Sequence, residues 1–442
     1  MKIEPADSLN GTIRLPGDKS ISHRAAIFAA LAEGATRIEN FASSADCAST
    51  LDCLKNLGAE ISVNGSTVNV EGVGKNGLRK PNAPLDCGNS GTTMRLLAGV
   101  LAGQNFDSVL TGDASLSKRP MKRIIAPLEL MGAKIAAEDF HAPLQISGRN
   151  FLRSIVYELP IASAQVKSCV LLAGLNAAGK SVIRNPPSAV ARPTSRNHTE
   201  LMLEFLGAKI EKQFVEIADG FVEEISIDGD SALTAKNLNV PSDISSAAFF
   251  IVGASCSANS EIVLENVGLN PTRTAILDVL RSFGADIEIL SQRETGNEIV
   301  GDLRIRGREN LSPETNSNLV SGDVIANLID EIPILAIFGT QIKGGLEVRG
   351  AGELRVKESD RIASVVENLR RMNAEVEEFP DGFRVRQSNL KGAKIDSFGD
   401  HRIAMAFAIA ALFADGATEI SGAEHAGVSF PEFFDVLASV RK

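Results

Sequence analysis

A short refrain constrains the fold more than any other feature of the chain. Leu57-Gly58-Ala59-Glu60-Ile61 returns as Met131-Gly132-Ala133-Lys134-Ile135, as Leu206-Gly207-Ala208-Lys209-Ile210 and as Phe283-Gly284-Ala285-Asp286-Ile287, at intervals of about 75 residues. A weaker form is Met372-Asn373-Ala374-Glu375-Val376. An interval of this kind means one supersecondary unit used repeatedly. Each refrain closes an amphipathic helix: Leu51, Leu54 and Leu57 have helical spacing, as do Ile276, Leu277, Leu280 and Phe283. The glycine suits a left-handed helix C-cap, and the residues behind it begin a strand.

Upstream of each refrain lies a nearly all-apolar, Ala-rich stretch: 25–32, 94–102, 166–173, 247–254 and 332–338, with a sixth at 403–413. A helix apolar on all sides is a buried helix. A strand follows each, at 36–39, 108–111, 181–184, 261–265, 345–349 and 418–421. The unit therefore reads polar cluster, buried helix, strand, charged loop, amphipathic helix, Gly-Ala, strand, hairpin. Six copies fit the 442 residues, too many for one ordinary core. The expected class is α/β, with two similar domains. Residues 18–237 hold copies one to three, and residues 1–17 with 238–442 hold copies four to six. The sixth copy ends without its last strand, and 1–15 is available to complete the pairing. Crossings near 18 and 238 predict a two-strand hinge beside a ligand cleft.

Chemistry is expected at the polar clusters that precede the buried helices. These are Lys19-Ser20-Ile21-Ser22-His23-Arg24, Gly88-Asn89-Ser90-Gly91-Thr92-Thr93-Met94-Arg95, Ser163-Ala164-Gln165-Val166-Lys167-Ser168, Ser242-Asp243-Ile244-Ser245-Ser246, Asp330-Glu331-Ile332-Pro333 and Asp400-His401-Arg402. Unpaired amides and the dipole make a helix N-terminus an anion site. Capping alone accounts for Ser, Asp and Asn, but it does not require the Lys and Arg. The competing reading is a set of capped helices with solvated charges.

Composition narrows the ligand. A net charge of -10, no Trp and one Tyr argue against nucleic acid or an acidic membrane surface. Apolar runs are broken before about 18 residues, so no membrane span is expected, and the start MKIEPADSLNG has no signal-peptide core. Five scattered Cys fit neither a disulfide framework nor a metal pair, and reduced thiols in a cytoplasm are the simplest account. The five His show no metal spacing. Gly174–Ser181 matches the P-loop pattern formally, but helix precedes it and strand follows, the inverse of what phosphate cradling needs. Gly72–Gly77 matches a dinucleotide pattern formally, yet Leu78-Arg79-Lys80-Pro81 starts no helix, so a turn is expected.

Over essentially its whole length the chain resembles the enolpyruvyl transferase family, in its shikimate branch. The matching stretches are Leu15-Pro16-Gly17-Asp18-Lys19-Ser20, Gly88-Asn89-Ser90-Gly91-Thr92, Lys118-Arg119-Pro120-Met121, Leu354-Arg355-Val356-Lys357-Glu358-Ser359-Asp360-Arg361 and Asp400-His401-Arg402-Ile403-Ala404-Met405, in the family's order. The resemblance implies two domains, each of three βαβαββ units with buried parallel helices. It implies transfer of the enolpyruvyl group of phosphoenolpyruvate to the 5-hydroxyl of shikimate 3-phosphate, with phosphate released through a tetrahedral intermediate. It implies no metal, no organic cofactor, and a cytoplasmic monomer.

By the same resemblance, Lys19, Asn89, Gly91, Arg119, Arg361 and Arg402 match phosphoenolpyruvate-binding positions. Lys19, Ser20, Arg24, Ser163, Ala164, Gln165, Arg196, Asp330 and Lys357 match positions at shikimate 3-phosphate. Asp330 matches the carboxylate that takes the hydroxyl proton, Glu358 the acid–base group at C3, and Lys19 joins them as catalytic. On residue pattern alone, Lys357-Glu358 reads equally well as a solvated helix start. Ala164 stands where some members have Ser, Leu96 where some have Pro and Val428 where some have Lys, while Arg196-Asn197-His198 replaces Lys-Pro-Tyr, leaving the role of His198 open. The sister branch acting on UDP-N-acetylglucosamine typically carries a Cys in the loop that here reads Asp113-Ala114-Ser115-Leu116-Ser117-Lys118.

Overall fold

The refrain glycines take the backbone conformation that their helices need in order to stop. Gly58, Gly132, Gly207 and Gly284 have φ of 98°, 99°, 103° and 84°, directly behind the Ala45–Asn56, Lys122–Leu130, His198–Phe205 and Ala275–Ser282 helices. The fifth copy uses Asn373 at φ 63°, the side chain that best tolerates this region after glycine. The computed structural model of the chain describes residues 1–148, 151–313 and 317–442.

The apolar stretches form the helices Lys19–Leu31, Gly91–Ala102, Ala164–Gly174, Ile244–Ser255, Ile332–Gln341 and His401–Leu412. Every residue of Ile244–Ser255 and His401–Leu412 is buried. After each helix comes the central strand of a small sheet. Ser108–Thr111 shows the pattern: it pairs in parallel with the lead strand Leu85–Asp86 and antiparallel with His141–Ser147, which pairs in turn with Lys134–Glu138.

Copies one and four exchange their lead strands. Asn10–Arg14 precedes the first buried helix in sequence but pairs in parallel with Glu261–Gly268 of copy four. Leu238–Asn239 precedes the fourth but pairs in parallel with Glu33–Glu39 of copy one. In the sixth copy Lys2–Ile3 pairs antiparallel with Thr418–Ser421, beside Lys394–Asp396. The first fourteen residues thus serve two sheets, those of copies four and six.

The described residues group into two compact units. One is Gly17–Val240 with Thr295–Glu298; the other is Met1–Pro16, Pro241–Glu294 and Ile299–Lys442. Each has its own core, the first including Phe28, Leu97, Leu101 and Val170, the second Phe249, Phe250, Phe338 and Phe407. The grouping of Thr295–Glu298 with the first unit has no signal in the repeat; there Asn297 Nδ2 donates to the Leu201 carbonyl at 3.2 Å. Among the described residues no helix is long and apolar enough to cross a membrane, and no group of His, Cys, Asp and Glu is arranged to hold a metal. All five cysteines are free thiols.

Candidate active site

In the Gly17–Val240 unit, the first turns of three buried helices carry the polar side chains. Asp18 caps Lys19–Leu31, its Oδ1 accepting from Ile21 N at 2.8 Å, which leaves Lys19 in the first turn. Lys19 Nζ pairs with Asp46 Oδ2 at 2.9 Å. Ser90 caps Gly91–Ala102, accepting from Thr93 N at 3.1 Å, and Ser163 caps Ala164–Gly174. Asn89 joins the loop before the second helix to Arg119: its Oδ1 accepts from Arg119 Nη2 at 2.7 Å, and its Nδ2 donates to Asp113 Oδ2 at 2.7 Å. Arg95 Nη1 donates to Gln165 Oε1 at 2.6 Å, and Gln165 Nε2 to Thr92 Oγ1 at 3.0 Å. Gly91 lies under both guanidiniums; a Cβ there would sit 2.7 Å from Arg95 Nη1 and 3.5 Å from Arg119 Nη1. Helix amides, an ammonium and forked guanidiniums together suit phosphate and carboxylate.

Two buried groups tie these helices together. Arg24 donates Nε to Thr199 Oγ1 at 2.7 Å, Nη2 to Ser168 Oγ at 2.8 Å and Nη1 to the Ser20 carbonyl at 2.8 Å. Burial lowers its pKa to about 10, against the attraction of Glu200 and Asp18, and Arg196 pushes the same way as burial; Arg24 stays charged at neutral pH. His23 is the second group. Burial lowers its pKa to about 3, so the ring is neutral. Its Nδ1 lies 2.7 Å from Thr50 Oγ1, which lies 2.6 Å from Thr93 Oγ1, which donates to Ser90 Oγ at 2.7 Å. With Thr93 donating to Ser90, Thr50 donates to Thr93, and the ring donates from Nδ1. A chain of hydrogen bonds thus joins the first buried helix to the cap of the second.

In the other unit Arg361 is the hub. It is buried at the start of the Arg361–Arg371 helix, which Asp360 caps through Ala363 N at 3.0 Å. Its Nε donates to Asp400 Oδ2 at 2.8 Å, its Nη2 to Glu358 Oε2 at 2.6 Å and its Nη1 to Asp330 Oδ1 at 3.4 Å. Burial works against its charge, but Asp400, Glu358 and Asp330 outweigh it and raise its pKa. Burial likewise opposes the Asp400 carboxylate, yet Arg361 holds it below the usual carboxylate range. Asp400 also caps His401–Leu412, accepting from Arg402 N at 2.9 Å. Arg402 Nη1 donates to the Asp330 carbonyl at 3.0 Å, and its Nε lies 3.6 Å from Asp330 Oδ1. Beside Asp330, buried Glu331 accepts from Ser245 Oγ. Glu358 and Asp330 keep side-chain exposures of 21% and 16%, so neither carboxylate is fully enclosed.

The expected residues therefore fall into two sets. Lys19, Ser20, Arg24, Asn89, Gly91, Arg119, Ser163, Ala164, Gln165 and Arg196 belong to the first unit, and Asp330, Lys357, Glu358, Arg361 and Arg402 to the second. The solvated reading of Glu358 does not hold, since it pairs with Arg361 three residues on. His198, left open by the sequence, is buried with Nδ1 2.6 Å from Glu298 Oε1. Leu96 is core, and Val428 ends a short turn of 3₁₀ helix. Sequence reasoning did not assign Arg95, Asp46 or Asp113. Arg95 was detectable, lying one helical turn beyond Gly91; the two acids are ordinary loop and first-turn residues with no local signal.

Buried helices that present cations, amide donors and carboxylates at their N-termini define a class of α/β protein. Such N-termini suit small phosphorylated and carboxylated molecules. The model of the EPSP synthase (3-phosphoshikimate 1-carboxyvinyltransferase) family matches residues 3–437, and the chain belongs to that family. It is 49% identical to a 3-phosphoshikimate 1-carboxyvinyltransferase from Koribacter versatilis, over 100% of this chain and 99% of that protein. It is 45% identical to one from Brevibacillus brevis, over the same shares. The solved structure of EPSP synthase from Acinetobacter baumannii matches with a TM-score of 0.86 at 40% identity, covering 100% of this chain and 98% of that one.

Proposed function

We propose that the chain transfers the enolpyruvyl group of phosphoenolpyruvate to the 5-hydroxyl of shikimate 3-phosphate, on the route to chorismate and the aromatic amino acids. The family and the relatives named for this reaction support the transfer. The assignment of roles rests on one observation above all: Arg361 gathers Glu358, Asp330 and Asp400 around a single guanidinium. Lys19, Arg119, Arg361 and Arg402, with Asn89 and Gly91, take the phosphate and carboxylate of phosphoenolpyruvate. Ser20, Arg24, Ser163, Ala164, Gln165, Arg196 and Lys357 take shikimate 3-phosphate.

Asp330 accepts the 5-hydroxyl proton as the oxygen bonds to C2 of phosphoenolpyruvate, and Glu358 delivers a proton to C3. In the tetrahedral intermediate the C2–O bond to phosphate then breaks. Glu358 takes back a C3 proton as the double bond reforms, and Lys19 stabilises the departing phosphate. Arg361 links binding to this chemistry: an anion on its guanidinium competes with Glu358 for the same donors and frees that carboxylate to carry a proton. We further propose a cytoplasmic monomer working without metal or organic cofactor; the free thiols support a reducing compartment.

The test is Glu358→Gln. Turnover should fall by about 10²-fold or more, the worth of a general acid–base group. Calorimetric binding of shikimate 3-phosphate should be unchanged. Near-normal turnover would remove Glu358 from the role.

A further inference from the structure

Two charged side chains of the Gly17–Val240 unit have no part in the reaction just described. Lys167 Nζ lies 2.6 Å from Glu200 Oε1, and both side chains are 0% exposed. Replacing a buried ion pair by apolar residues is often neutral or stabilising, so stability alone is a weak reason for its presence. The positions of the two residues give a better one. Lys167 adjoins Ser168 on the Ala164–Gly174 helix, and Glu200 adjoins Thr199 on the His198–Phe205 helix. Ser168 Oγ and Thr199 Oγ1, 2.6 Å apart, are the two hydroxyls that receive the Arg24 fork. Ser168 donates to the Ala164 carbonyl at 2.7 Å, so Thr199 donates to Ser168, and every hydroxyl proton of the cradle is committed.

The electrostatics agree with the geometry. Glu200 exerts the largest attraction among the charges acting on Arg24. Lys167 also faces Glu223, a carboxyl raised by burial that accepts from Asn185 Nδ2 at 2.5 Å. Two cations, Arg24 and Lys167, are thus set against two carboxyls, Glu200 and Glu223, all four buried.

We propose that Lys167 and Glu200 are positioning residues: they clamp the two helices so that Ser168 and Thr199 aim the Arg24 guanidinium at shikimate 3-phosphate. This rests on the reading that Arg24 binds that substrate.

The experiment uses the full chain with Arg24→Ala, Glu200→Asp, and the double variant Lys167→Met with Glu200→Leu. Melting temperature, shikimate 3-phosphate affinity by calorimetry, and KM for phosphoenolpyruvate are read for each. The double variant removes one cation and one carboxylate together, Glu223 keeps its Asn185 donor and Arg24 its three hydrogen bonds, so it should melt near the wild type. Its shikimate 3-phosphate affinity should nevertheless be about tenfold weaker or more, while KM for phosphoenolpyruvate stays within about twofold. Glu200→Asp keeps the charge but shortens the reach, and it should weaken shikimate 3-phosphate about threefold or more, again without moving the other KM. Wild-type shikimate 3-phosphate affinity in both, with affinity lost in Arg24→Ala, overturns the positioning role alone. Wild-type affinity in Arg24→Ala overturns the reading beneath it as well.

Discussion

His23 makes acid-sensitivity of the fold a quantitative matter. Its ring is fully buried, hydrogen-bonded through Nδ1 to Thr50, and burial takes its pKa from 6.5 to about 3. The unfolded chain therefore binds a proton below pH 6.5 that the folded chain refuses until about pH 3. Stability rises with pH wherever the unfolded state holds more protons, so this group's contribution is complete above 6.5 and is lost progressively toward 3. Evaluated from those two values, the loss between pH 7 and pH 5 is about 2 kcal/mol. His23→Asn places an amide where Nδ1 stood, keeps a hydrogen-bonding group for Thr50 and cannot titrate. Urea unfolding followed by circular dichroism, at half-unit steps from pH 7 to 5, gives the difference between wild type and variant. That difference should shrink by about 2 kcal/mol across the range, in the direction of a less stable wild type at low pH. In parallel, the imidazole resonance missing from the variant's NMR spectrum should not titrate above pH 4 in the wild type. A flat difference curve, or a resonance titrating near 6.5, would refute the argument.

Other consequences follow from single contacts. Asp400→Asn leaves Arg361 buried without its one fully buried carboxylate partner among those described, and should cost about 3–5 kcal/mol in chemical denaturation while raising KM for phosphoenolpyruvate. Because Asp400 is held below its unfolded pKa, its stabilisation is full above about pH 4 and lost only in stronger acid; the variant should lack that part of the acid-unfolding limb. Gly99→Ala would put a Cβ 2.2 Å from the Cys169 carbonyl oxygen. Backbone cannot yield as a side chain can, so the Gly91–Ala102 and Ala164–Gly174 helices must separate, at about 1–3 kcal/mol or more in the urea midpoint. A wild-type midpoint would contradict that packing.

Much of the fold was legible because its signals are local. A glycine that must adopt positive φ, a helix apolar on all faces and a Ser or Asp at a cap all act within one turn of chain, and they recur with the repeat. What stayed hidden depends on partners far away. Leu238–Asn239 is two residues long, and nothing in its sequence says that it pairs with Glu33–Glu39 instead of leading its own copy. The Val324–Leu328 helix, set between a lead strand and the fifth buried helix, has no counterpart in the other copies among the described residues. The site divides in the same way. Lys19, Arg24 and Arg402 stand out because capping has no use for a cation at a helix start. Their counter-charges do not: Asp46 and Glu200 are ordinary acids until the fold brings them to Lys19 and Lys167. The roles of Asp330 and Glu358 came from family resemblance, and the structure adds the guanidinium they share.

The central claim is a choice of acceptor, and it is tested most directly by phosphate release. The purified chain would be given phosphoenolpyruvate with shikimate 3-phosphate, and separately with UDP-N-acetylglucosamine. Release with shikimate 3-phosphate alone is the predicted result. Release with the sugar nucleotide alone, or with neither, would contradict the account.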